Sequence, residues 1–234
     1  MHRRIVALTL VGGLIGGAAL ARAETRGGSI DPADFVRRIT NPFFPLKPGT
    51  VFVYRGERDG QSQTDRVTVT HRRKTILGVS TVVVRDVATH HGERLEKTLD
   101  WFAQDRDGNV WYFGEATRTY EHGRVSTEGS WTGGVDGAQP GIVMEADPRI
   151  ADGYRQEIYP GHADDRAWVL TLGGTITVPY GHLRHTLLTM EWTPLEPNVV
   201  DNKVYARGVG LVREISVAGP LESAELVRIE RPAS

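Results

Sequence analysis

The sequence predicts a mainly β protein: one curved antiparallel sheet, folded as a half-barrel or a sandwich, behind a short N-terminal helix. Three observations predict it. Beyond Gly49, apolar and polar residues alternate with period two, and glycine-containing turns interrupt the alternation. No window of a dozen residues carries a clean helical apolar period. The chain has no cysteine, so apolar burial rather than cross-linking must hold the fold.

His2, Arg3 and Arg4 make a basic start, residues 5–20 an apolar run, and Ala21-Arg22-Ala23 a small-residue exit. This is the pattern of a secretory signal peptide over residues 1–23, cut after Ala23. The apolar run is short for a membrane span and diluted by glycine. Arg3-Arg4 leaves the twin-arginine route open beside the general one. The expected location is periplasmic or extracellular, with no transmembrane segment in the mature chain.

Residues 24–49 read as a leader, a helix and a lead-in. Asp31 suits a helix cap and Pro32 a first turn, and Phe35, Val36 and Ile39 give residues 31–39 one apolar edge. Asn41-Pro42-Phe43-Phe44-Pro45-Leu46-Lys47-Pro48-Gly49 then excludes a regular element, because its prolines cannot sit inside a sheet. Its aromatics are expected to plug one end of the core.

Residues 50–234 read as a single antiparallel β domain. Strands are expected at 50–55, around 67–71, at 79–87, 95–104 and 110–113. Asp105 to Asn109 marks a hairpin between two aromatic runs. Residues 126–140, rich in glycine and carrying Trp131, read as a long loop or an irregular edge, mobile enough to act as a lid. Strands resume at 154–158, 167–172, 175–178, 183–192, 203–207, 211–217 and 225–230. The stretch from Leu99 to Val110 is echoed by Asn202 to Val212: aromatic, alanine, long polar residue, turn, glycine, valine strand. That echo suggests duplication of a β-meander, with Trp101 or Phe102 related to Tyr205. Shared hairpin chemistry is the alternative.

Charge narrows the partners. The chain has 28 Lys and Arg against 29 Asp and Glu, and loss of the signal peptide removes three arginines and no acid. The remainder is mildly acidic with interspersed charges, which does not suit a phosphate backbone. Nucleic acid is not expected as a partner, and no motif calls for a cofactor.

Several sites are conceivable. Trp101, Trp111, Tyr112, Trp131 and Tyr205 are the candidate ligand-binding residues, because alternation gives the aromatic strands rings on both faces. One face must be core, and the other is core as well or the wall of a cavity for an apolar or amphiphilic ligand. On the groove reading, Trp131→Ala should weaken binding with little loss of stability. Asp105, Asp107 and Asn109 offer oxygen ligands at alternate positions, as calcium requires. Turn capping explains the same residues. The histidines form no metal-binding motif. Glu115, Glu145, Asp147, Asp164 and Asp165 could supply an acid–base pair, although spacing alone brings no two together.

Several blocks together resemble a family of uncharacterised bacterial exported proteins. They include Asn41-Pro42-Phe43-Phe44-Pro45-Leu46, Trp101-Phe102-Ala103-Gln104-Asp105, Tyr159-Pro160-Gly161, Glu191-Trp192-Thr193-Pro194 and Tyr205-Ala206 with Gly208-Val209-Gly210-Leu211-Val212. The resemblance spans most of the mature chain and implies no activity. The Val178-Pro179-Tyr180-Gly181 turn and the Tyr205 to Val212 stretch also look like envelope β-proteins related to lipoprotein carriers. That likeness implies a curved sheet around an apolar cavity. The expected function is non-enzymatic binding of a lipid, an amphiphile or another envelope component. An extracytoplasmic hydrolase with a carboxylate or histidine site, or a purely structural protein, is the alternative.

Overall fold

A computed structural model describes residues 30–121 and 123–231. The expected signal peptide and residues 24–29 lie outside them. Asp31 caps a single 3-10 turn, Pro32–Asp34, by accepting from the Ala33 amide at 2.9 Å. The helix expected over residues 31–39 goes no further, because β1 (Phe35–Val36) leaves it extended and pairs with Asp105 and Gln104. Phe35 packs edge-on against Trp111 and Phe113, at 6.1 and 5.5 Å. That tertiary contact outweighs a marginal helical propensity.

The next five strands, β2 (Val51–Arg58), β3 (Gln61–Ile76), β4 (Val79–His90), β5 (Glu93–Asp105) and β6 (Val110–Glu121), form an antiparallel meander. The glycine-rich segment makes an irregular edge: β7 (Arg124–Ser126) and β8 (Trp131–Thr132) pair with β6, as does β9 (Gln139–Met144). Two short strands follow, β10 (Gly153–Arg155) and β11 (Glu157–Ile158). A second meander then runs through β12 (Arg166–Val178), β13 (Gly181–Trp192), β14 (Val200–Ala206), β15 (Gly210–Ala218) and β16 (Glu222–Glu230). β12 joins two strands that the sequence separates at Gly173-Gly174. The glycines produce register shifts there, bulges rather than an end.

The strand order is β10-β12-β13-β14-β15-β16-β2-β3-β4-β5-β6-β9-β11. Pairing of β16 with β2 joins the meanders. The path starts at β10 and ends at β11, and only Gln156 separates these along the chain. The sheet therefore curls until its two edges meet. The Gln156 and Glu157 amides both donate to the Asp165 carbonyl, at 2.7 and 3.2 Å. The half-barrel or sandwich is thus a nearly closed barrel, which leaves little unpaired edge.

Among the described residues, apolar side chains form two clusters. The larger fills the barrel and includes Phe52, Phe102, Tyr112, Leu187, Tyr205 and Leu226. The smaller lies on the opposite face of β4–β6, where Val83, Trp101 and Phe113 pack with Trp111 and Phe35. The Lys74 ammonium sits 3.2 Å from the Trp101 ring centroid. The lead-in packs Ile39, Phe43 and Leu46 into the larger cluster. Asn41 organises it: its side-chain amide donates to the carbonyls of Gly108 (3.0 Å) and Glu145 (2.9 Å), and its Oδ1 accepts from the Phe43 and Phe44 amides. Phe44 then reaches Phe102 and Tyr205, at 5.3 and 6.4 Å between centroids. Phe102 and Tyr205 thus flank one ring.

Candidate functional site

Inside the barrel is a cavity of about 260 Å³. Its lining follows from strand alternation read in layers. At the lead-in end the inward side chains are apolar: Phe44, Leu46, Phe52, Val67, Phe102 and Leu211. Moving away from the lead-in, the same inward faces turn polar. On β5 Phe102 gives way to Asp100 and Thr98, on β3 Val67 to Asp65 and Gln63, on β4 Val84 to Asp86, on β14 Tyr205 to Lys203 and on β15 Leu211 to Glu214. One space thus has a greasy end and a carboxyl-rich end. Among the described residues, ten carboxyl side chains line it, against the two cations Arg58 and Lys203.

A bulge completes the acidic wall. Phe102 pairs with Tyr112 but Asp100 pairs with Glu115, so β6 spends one extra residue there. Gly114 accommodates this at φ +116°, and a Cβ on it would stand 2.4 Å from the Trp131 carbonyl oxygen. Without the bulge, Glu115 would share the outward face with Trp111 and Phe113. With it, Tyr112 and Glu115 both face inward.

Hydrogen bonds hold part of the polar layer. Thr98 donates to Glu96 Oε1 (3.1 Å), shares a 2.7 Å contact with the Thr117 hydroxyl, and Thr117 donates to Glu115 (2.9 Å). Tyr112 donates its hydroxyl to Asp100 at 2.8 Å. Glu191, fully buried, accepts from Thr189 (2.8 Å) and Tyr205 (3.2 Å) and pairs with Lys203 Nζ at 3.1 Å. Asp165 is 3% exposed, lines the cavity, and its Oδ1 has no hydrogen-bond partner among the described residues.

Burial raises the carboxyls because it penalises their charged form. It holds Asp100 at about 7, against the pull of the Tyr112 hydrogen bond. Asp65 is pushed to about 6 and Glu214 to about 7, again by burial first. Glu115 and Glu157 are raised well above the usual range by burial and then by neighbouring carboxyls, Glu157 for Glu115 and Asp165 for Glu157. Asp165 is raised likewise by burial, although Lys203 opposes this. Burial alone would lower Lys203, but Glu191 and Glu214 more than offset it and raise the ammonium.

The structure divides the aromatic set read from the sequence. Tyr112 and Tyr205 line the cavity. Trp131, paired across the sheet with Glu115, packs edge-on to Tyr112 at 5.5 Å between centroids, is 5% exposed and does not line the cavity. Trp101 and Trp111 belong to the opposite face of the sheet and do not reach the cavity, since their strand parity is that of Phe113 rather than Tyr112. Of the hairpin carboxylates, Asp105 accepts from the Gly108 and Asn109 amides, the Asn109 side chain and the Trp111 indole, each at 2.8 Å. Asp105 is thereby committed to its own turn. Asn109 Oδ1 accepts from the Ala146 amide, and Asp107 is not drawn into this set. Among the described residues, no group of three or more His, Cys, Asp and Glu is arranged to hold a metal ion. Of the acid–base candidates, Glu115 and Asp165 reach the cavity. Asp164 pairs with Arg155 and Arg166 at 2.7 and 3.2 Å, and Asp147 is exposed beside Arg149. Asp65, Asp86, Asp100, Glu157, Glu191 and Lys203 were not singled out by sequence reasoning. The usable signal was a charged residue in the inward phase of an otherwise apolar alternation.

Among the described residues, no helix is long and apolar enough to cross a membrane. No family model and no curated protein matches the chain. Two crystal structures are similar to it. One is a candidate exported protein with a YMCC-like fold from Bacteroides fragilis, 15% identical, matched over 82% of this chain and 100% of that one with a TM-score of 0.48. The other is a candidate lipoprotein from Parabacteroides distasonis, 17% identical, matched over 81% of this chain and 99% of that one, also with a TM-score of 0.48.

Proposed function

We propose that the chain is an exported binding protein that holds an amphiphile inside its barrel. The apolar part of the ligand lies against Phe44, Phe52 and Phe102, and its polar part faces Asp100 and Glu115. The observation that carries this is one cavity whose lining changes from apolar to carboxyl along single strands. Export rests on the basic, apolar and small-residue run ending at Ala23. The cavity, about 260 Å³, falls just below the ~300 Å³ at which drug-sized pockets begin. It suits a short single-chain amphiphile better than a two-chain lipid.

A second reading, a carboxyl-based hydrolase, draws on the same convergence of acids. Acid–base catalysis needs neighbouring groups whose environments push their pKa values apart. Here burial pushes Asp100, Glu115, Glu157 and Asp165 in one direction. Binding is the better account.

The test is calorimetric titration with three eight-carbon amphiphiles: octyl glucoside, octanoate and octylammonium. At least one should bind with one-to-one stoichiometry, and Ala224→Phe, which fills the space from its lining, should abolish it. No binding by any of the three, or binding indifferent to Ala224→Phe, overturns the proposal.

A further inference from the structure

The cavity's polar end distinguishes ligands by charge. Lys203 answers Glu191 at 3.1 Å and reaches Glu214 at 3.9 Å. Asp100, Glu115, Glu157 and Asp165 form no ion pair with a basic side chain among the described residues. They come from four separate places, β5, β6, β11 and the turn before β12, so the fold gathers them rather than the local sequence. The Asp165 carboxyl contributes a second fact: it is 3% exposed, lines the cavity and keeps Oδ1 without a hydrogen-bond partner among the described residues. Such an oxygen costs stability unless something donates to it. Carboxylates alone would also accept a metal ion. The neighbouring apolar end, with Phe44, Phe52 and Phe102, would serve no purpose for a bare ion.

Resting on the amphiphile reading above, we propose that the ligand's head is an organic cation, a primary ammonium that takes its place among Asp100, Glu115, Glu157 and Asp165 while its chain lies against the aromatic end. An ammonium brings three donors and no acceptor, which matches a wall of acceptors that includes the unsatisfied Asp165 oxygen. A carboxylate head would add a negative charge to a buried group of acids. A cation favours the ionised form of each acid it touches, so binding releases protons from the raised carboxyls. Glu191 and Lys203 also face this group, and their mutual pairing leaves the balance with the acids.

Octylammonium should bind at least ten times tighter than octyl glucoside, and octanoate weakest. Titration in two buffers of different ionisation enthalpy should show proton release, and affinity should rise from pH 6 to pH 8. Asp165→Asn and Glu157→Gln should each remove most of the preference for octylammonium over octyl glucoside. Each should melt no lower than the parent, because a buried acid has become a neutral isostere. If octyl glucoside binds as tightly as octylammonium, the cationic head is wrong and the amphiphile cavity stands. If none of the amphiphiles binds, both fail. Stabilisation by calcium chloride alone, without octylammonium binding, overturns the organic cation in favour of a metal.

Discussion

Lys203 is buried between Glu191 and Glu214 and, among the described residues, is the only lysine in the cavity lining. Removing one partner of a buried ion pair strands the other, at a cost of about 3–5 kcal/mol. Lys203→Met should therefore lower stability by that order in urea unfolding, and adding Glu191→Gln should restore part of it. Additive losses would show that the two groups do not interact. Trp131 reads from the sequence as a groove residue. At 5% exposure against Tyr112 it is core, so Trp131→Ala should cost ~3–5 kcal/mol and lower the melting temperature markedly. An unchanged melting temperature would return Trp131 to the groove. At this scale alternation was legible: Phe102 and Tyr112 do face away from Trp101 and Trp111. Which face held the cavity was not, because both carry rings, and period two is blind to inside and outside.

Among the elements, the long strands were legible because their alternation is regular, and the lead-in because proline forbids a ladder. The first helix is cut to one 3-10 turn, Pro32–Asp34, because Phe35 finds Trp111 and Phe113, contacts that no local window contains. The bulge on β6 hid Glu115 for a related reason, since one extra residue inverts the phase of everything after it. Gly114→Ala tests that bulge. With φ at +116° and a Cβ 2.4 Å from a backbone oxygen, it should cost at least ~1–3 kcal/mol and disturb the near-ultraviolet signal of Tyr112 and Trp131. A neutral outcome would mean that the strand carries no bulge. The lead-in makes a separate prediction. Asn41 is 2% exposed and its side chain makes four hydrogen bonds, so Asn41→Ala should lose about 2–3 kcal/mol. A smaller loss in thermal unfolding would show that the lead-in is held by Phe43 and Leu46 alone.

For the whole molecule, the interior acids set an unusual pH dependence. Asp65, Asp100, Glu214 and Glu96 sit at about 6, 7, 7 and 9 when folded, each raised chiefly by burial. In the unfolded chain they titrate near ~4. Between those values the folded state holds more protons than the unfolded one, so stability falls as pH rises. Their contribution is complete below the unfolded values and is lost as pH climbs through the folded ones. The opposite case, Glu230, is lowered to about 2 by its hydrogen bonds to Arg66 and Arg228, and its effect is confined to more acidic solution. The melting temperature should therefore be several degrees higher at pH 5 than at pH 8, at constant ionic strength. Saturating octylammonium should shrink that difference, because a bound cation supports the ionised acids that otherwise weaken the fold. A melting temperature that rises from pH 5 to pH 8 would mean that the cavity's carboxyls are already paired as anions. Octylammonium would then have no uncompensated charge to answer. The thermal profile of the ligand-free protein thus bears on the ligand's charge before any ligand is added.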